Sequence, residues 1–132
     1  MPDKKKKIFL IEDDAAIADV YAIMMKKSHF EVEVFSLGQE AIKKIKEVSA
    51  NENGDQQKPD VVLLDLILPD MNGVQVLQEM KSNPATKDIK VFIMSNQAEE
   101  ELAKKGVKPD RFIIKANTTP TQLIEIINEN IK

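Results

Sequence analysis

The chain has 132 residues, 42% hydrophobic and 31% charged, with a formal net charge of −3; this suits one domain with one core and gives no global pull toward nucleic acid. It has no cysteine, which excludes disulfides, thiolate catalysis and cysteine-type zinc sites. No apolar stretch approaches the roughly 20 residues that span a membrane, and no secretory h-region follows the charged start, so a cytoplasmic protein without a membrane partner is expected.

Taken in chain order, strand and helix patterns alternate. Lys4 to Lys7 reads as a solubilising run before a first strand, Lys6 to Ile11. Ala15 to Lys27 carries Ile17, Val20, Tyr21 and Met24 at the i, i+3, i+4, i+7 spacing of an amphipathic helix, with Asp13 or Asp14 as its cap. Glu31 to Phe35 alternates polar and apolar, as a strand near a sheet edge does. Ser36 is expected to cap a second helix bearing Ala41, Ile42, Ile45 and Val48. The polar segment Ser49 to Pro59 reads as a surface loop.

Val61 to Leu64 is the most apolar strand and is placed at the sheet centre. A turn, Pro69 to Gly73, leads into a helix with Val74, Leu77 and Met80, which Asn83-Pro84 ends. Val91 to Met94 is the fourth strand, Glu99 to Lys105 a short charged helix stopped at Gly106, and Arg111 to Ile114 the fifth strand. Thr118 or Thr119 caps a last helix whose stripe is Leu123, Ile124, Ile127 and Ile131, with Pro120 near its first turn. Five βα units in succession predict a doubly wound α/β domain with a parallel sheet and five helices.

In such a sheet the ligand site lies outside the carboxyl ends of the strands. The first strand runs into Glu12, Asp13 and Asp14, the third into Asp65, the fourth into Ser95 and the fifth into Lys115. Carboxylates ending two adjacent strands, roughly 5 Å apart, repel one another when ionised. A hard divalent cation, Mg²⁺ or Mn²⁺, removes that repulsion and brings a phosphate oxygen with it. A carboxylate beside such an ion can attack phosphorus and form an aspartyl-phosphate, and Asp65 has the central place. Lys115 and Ser95 would supply a positive charge and a hydroxyl donor to phosphoryl oxygens. His29, the single histidine, sits at a helix end far from this edge, where a dipole contact is expected. Met24, Met25, Met80 and Met94 read as core or partner-surface residues.

The acidic pair Glu12-Asp13, Asp65 in VVLLDLILPDMNG, Ser95 in FIMSN and Lys115 in FIIKA resemble the receiver domain of two-component response regulators, the CheY-like family. The resemblance covers essentially the whole chain. It implies a flavodoxin-like sheet in the order 2-1-3-4-5, and one receiver domain over residues 1–132 with no output domain. It makes Asp65 the phosphoacceptor, charged by a sensor histidine kinase or phosphotransfer protein. Glu12, Asp13, Asp65 and the main-chain carbonyl of Ile67 become the Mg²⁺ ligands, and Asp14 a helix cap. Ser95 and Phe112 become the switch pair that reshapes the face read by a downstream protein target. Whether phosphorylation drives homodimerisation through the fourth and fifth helices stays open. The Met1 start and short tail favour a stand-alone receiver over one trimmed from a longer regulator.

Three positions depart from the family pattern. Ala116 stands where proline usually follows the lysine, so a trans bond there is favoured by roughly 2.5–4 kcal/mol. Asn96 stands where alanine usually follows the hydroxyl residue. Ile67, with Gln97, falls where family members tune the hydrolytic water, and an apolar side chain there predicts slow self-dephosphorylation. The rival readings are weaker. An aspartyl phosphatase usually has a second acid two residues after its nucleophile, a place Ile67 holds here. A nucleotide or flavin binder needs a glycine-rich loop where Glu12 to Ala15 is acidic. A degenerate receiver acting as a phosphate-independent docking module is the remaining alternative.

Overall fold

The computed structural model describes residues 5–50, 58–96 and 108–131. Its strands are β1 (Lys7–Ile11), β2 (Glu31–Phe35), β3 (Val61–Asp65), β4 (Lys90–Ser95) and β5 (Arg111–Ile114). They form one parallel sheet in the order β2-β1-β3-β4-β5. All five residues of β3 are buried, as a central strand covered on both faces requires. β2 and β5 lie at the edges, and each keeps half-exposed or exposed positions. The registers Ile11↔Leu64, Asp65↔Met94 and Ser95↔Ile114 bring the ends of β1, β3, β4 and β5 level.

The described helices are α1 (Ala15–Lys27), α2 (Gly38–Ala50), α3 (Gly73–Ser82) and α4 (Pro120–Asn130), with a 3-10 turn at Lys115–Asn117. The predicted helix Glu99–Lys105, and Gln97 with it, lie outside the described residues. Alternation along the strands sorts the core into two layers. Phe9, Ile11, Val62, Leu64 and Ile93 face α2 and α3, while Ile8, Leu10, Leu63, Phe92 and Met94 face α1 and α4.

The caps hold the loops that matter for the strand ends. Asp14 accepts from the Ile17 N–H at 3.1 Å, which selects it over Asp13. Thr119 and Gln122 form a capping box with Pro120 at the first turn, and Asn72 forms another with Gln75. The expected Ser36 cap is corrected. α2 starts at Gly38, one residue later than a Ser36 cap requires, behind a leucine whose side chain offers no acceptor. Its first amides are taken by Asp70 from the β3–α3 loop, Gly38 N–H at 2.8 Å and Gln39 N–H at 2.9 Å.

The inward face of α1 is corrected in part: Tyr21 is buried and Met24 packs half-buried on the same layer as expected, but Ile17 and Val20 do not. The buried positions are Ala18, Tyr21, Ala22 and Met25, whereas Ile17, Val20 and Ile23 are 37%, 52% and 53% exposed. Both stripes have helical spacing and share Tyr21's neighbourhood, so periodicity alone cannot rank them. Hydrophobicity favours the larger residues, but the small alanines face the core. His29 has φ 71°. Its N–H bonds to the Lys26 carbonyl and that of Phe30 to Met25, at 3.1 and 3.0 Å. This is a Schellman stop with His29 in the left-handed position, at the C-terminal end of α1.

Candidate functional site

Glu12 follows β1 directly, and its N–H donates to the Phe35 carbonyl at 2.9 Å, holding the main chain against β2. That turns the side chain inward, where it is 1% exposed. Asp65 ends β3 one strand over. The next residue donates its N–H to the Met94 carbonyl at 3.3 Å, which extends the ladder past the aspartate. Behind it α3 begins at Gly73. A Cβ there would stand 2.4 Å from the Asp65 carbonyl oxygen, so only glycine lets the helix start close enough to brace this strand end. The Gly73 N–H donates to Leu66 at 2.7 Å across a one-pair antiparallel bridge, Ile67↔Asn72.

Lys115 enters from the end of β5. Its ammonium lies 2.7 Å from Glu12 Oε1 and 3.3 Å from Asp65 Oδ2. The other Glu12 oxygen accepts from the Asp14 N–H at 3.3 Å. Asp13 is exposed, yet ligand oxygens of Glu12, Asp13 and Asp65 all lie within 4.8 Å of one another. Ser95 is buried at the end of β4.

The charges shape one another. Burial pushes the Glu12 carboxyl above its ordinary pKa and the Asp65 charge adds to this, against the pull of Lys115. Burial acts to lower Lys115, but its hydrogen bond to Glu12 and the charge of Asp65 outweigh that and raise it. The Tyr21 phenol is raised by burial first, with Lys115 opposing and both carboxylates assisting, so α1 carries a phenol within electrostatic reach of the site. Among the described residues, three carboxylates against one ammonium leave two negative charges when ionised. Clustered hard oxygens of that charge fit a divalent cation such as Mg²⁺.

Of the residues picked out from sequence, Glu12, Asp13, Asp65 and Lys115 come together and Ser95 lies on the adjoining strand end. Phe112 is half-buried, packed on the α2–α3 layer beside Ile93. The Ile67 side chain is 60% exposed, next to the acidic edge rather than in the core. The Lys115–Ala116 peptide is trans, and Lys115 still reaches both acids. Asn96 Oδ1 accepts from the Ala116 N–H at 2.8 Å. Asp70 and Gly73 were not singled out from sequence. The short-range signal for each was the turn Pro69 to Gly73, but the partners they serve lie on other elements.

The sequence pattern of the family described as response regulator receiver domain matches residues 8–128. The cell cycle response regulator CtrA of Brucella ovis is 31% identical over 109 residues, 83% of this chain and 43% of that protein. The chain thus spans less than half the length of the curated relatives it matches. The phosphorylated cyanobacterial phytochrome response regulator RcpA is similar in structure, with a TM-score of 0.76 and 30% identity over 96% of this chain and 91% of that one. The receiver domain of the sensor histidine kinase PA1611 from Pseudomonas aeruginosa PAO1 shares the fold, with a TM-score of 0.80 at 17% identity over 97% and 98% of the two chains; that structure has a magnesium ion coordinated in its active-site cleft. On the family match and this arrangement of strand ends, the chain belongs to the response regulator receiver domain family, the signalling switches of two-component systems.

Proposed function

We propose that this chain is the phospho-accepting receiver of a two-component phosphorelay, taking a phosphoryl group onto Asp65 from the phosphohistidine of a sensor histidine kinase or phosphotransfer protein. The observation that carries this reading is the ammonium of Lys115 held between Glu12 and Asp65 at the shared edge of three strands. A carboxylate oxygen of Asp65 forms the new bond to phosphorus as the phosphorus–nitrogen bond breaks, and the electron pair leaves with the imidazole. Lys115 pairs with one phosphoryl oxygen and the Ser95 hydroxyl donates to another. Glu12, Asp13, Asp65 and the Ile67 carbonyl would hold Mg²⁺, or Mn²⁺, which when bound neutralises charge on the phosphoryl oxygens.

Phosphorylation adds close to two negative charges. Ser95 moving toward them frees space for Phe112, and the face read by a downstream protein changes between two states. The chain therefore works as a switch, with self-dephosphorylation as its only turnover. The exposed Ile67 stands beside the acceptor and slows the hydrolytic water. Ile17, Val20 and Ile23 form an apolar face that starts one turn from Asp13, suited to the protein that delivers the phosphoryl group.

The test is intact mass after incubation with acetyl phosphate and Mg²⁺, for the native chain and for Asp65→Asn. A gain of about 80 Da in the native chain alone is expected, one phosphoryl group. No gain in either would overturn the reading in favour of a phosphate-independent docking module. The phosphorylated form should then persist for many minutes; a half-life of seconds would refute the assigned role of Ile67.

A further inference from the structure

Strand pairing between β4 and β5 ends at Ser95↔Ile114. One residue further on each side stand Asn96 and Lys115, and beyond Lys115 the chain turns at once into the 3-10 turn Lys115–Asn117. At this point the backbone loses the ladder that would aim the lysine. Two side chains take the ladder's place. The Thr118 hydroxyl donates to the Ile114 carbonyl at 2.9 Å, and Asn96 Oδ1 accepts the Ala116 N–H at 2.8 Å. The first holds the loop to its own strand. The second ties it to β4, the strand that carries Ser95.

We propose that Asn96 is a positioning residue for Lys115: its carboxamide clamps the main chain at Ala116 and so aims the ammonium at Asp65 and Glu12. The clamp needs two matched choices. Position 116 must present an N–H, which proline lacks, and position 96 must present a side-chain acceptor of short reach. The chain has both, with a trans peptide between Lys115 and Ala116. The two departures noted in the sequence are thereby one feature. The contact that Asn96 makes is to the Ala116 main chain, so in this proposal its effect on phosphoryl transfer passes through Lys115.

This inference rests on the proposed function for its kinetic consequence but not for its geometry, and the test separates the two. Asn96→Ala, Ala116→Pro and the double variant are compared with the native chain. The first readout is acylation of Lys115 by a small amine-reactive ester, followed by peptide mass mapping, which needs no phosphoryl transfer. Loss of one hydrogen bond corresponds to about a fivefold change in loop occupancy, so Lys115 labelling should rise about that much in Asn96→Ala. The second readout is the rate of phosphorylation by acetyl phosphate, expected to fall about fivefold or more because misplaced groups lose rate steeply. The double variant should be no worse than the poorer single one, since both remove the same bond. Unchanged Lys115 labelling in Asn96→Ala, or effects of the two substitutions that simply add, would overturn the clamp. Failure of the native chain to take phosphate while labelling follows expectation would overturn the proposed function and leave the clamp standing.

Discussion

α1 and α2 are both thirteen residues long and pack on opposite faces of the sheet, yet they use their apolar residues differently. α2 buries every large apolar residue it has: Ile42, Ile45 and Val48 are at most 5% exposed. α1 turns Ala18 and Ala22 inward with Tyr21 and Met25, and leaves Ile17, Val20 and Ile23 in solvent. Isolated apolar residues on a surface are ordinary, whereas a row of them on one helix face marks a contact surface. α2 is thus a stability element, and α1, on the proposed function, a compromise between core and partner. The difference also shows at their ends. α2 borrows its cap from Asp70 in the β3–α3 loop, while α1 is capped within its own segment by Asp14 and stopped by a strained histidine.

Four substitutions test that contrast, in order of their expected effect on stability. Ile45→Ala removes a side chain only 1% exposed and should destabilise by about 2–5 kcal/mol in chemical denaturation. A loss under 1 kcal/mol would mean that α2 is not the anchor of its layer. Asp70→Ala uncaps α2 and should cost about 1 kcal/mol near neutral pH. The Gln39 N–H first, and the Gly38 N–H with it, hold the Asp70 carboxyl below the usual aspartate value. A lowered pKa contributes stability above the unfolded value that is lost as pH falls through the folded one. The gap between native chain and variant should therefore be full near neutrality and close under acid conditions; a gap that widens on acidification would contradict the cap.

His29→Gly should stabilise the end of α1 by about 0.5–1 kcal/mol, because glycine carries no penalty for the positive φ. A loss of stability would show the imidazole to be engaged after all. Val20→Asp is expected to change stability by less than about 0.5 kcal/mol, as for other exposed positions. It should nonetheless slow phosphoryl transfer from a protein donor about tenfold, in line with loss of one apolar contact residue, and leave phosphorylation by acetyl phosphate unchanged. Equal rates from the protein donor would remove α1 as its contact face.

The fold was legible because its signals are local. Buried parallel strands demand continuous apolar runs, and β2 and β5 begin and end where those runs and their alternation do. The site was legible for a related reason: in a sheet with level strand ends, the residue after each run is placed at one edge whatever the loops do. Glu12, Asp65, Ser95 and Lys115 follow from that rule. Asp70 did not, since a side chain capping a helix more than thirty residues away leaves no trace in either segment.

By itself, then, the sequence determined the order of elements, the parallel sheet and the meeting of acids with a lysine at its edge, because each depends on spacing along the chain. Tertiary structure decided which of two overlapping stripes on α1 faces inward, which acid caps α2, and that Asn96 and Ala116 act together. Each of these depends on the shape and hydrogen-bonding groups of a partner that exists only once the strands are side by side.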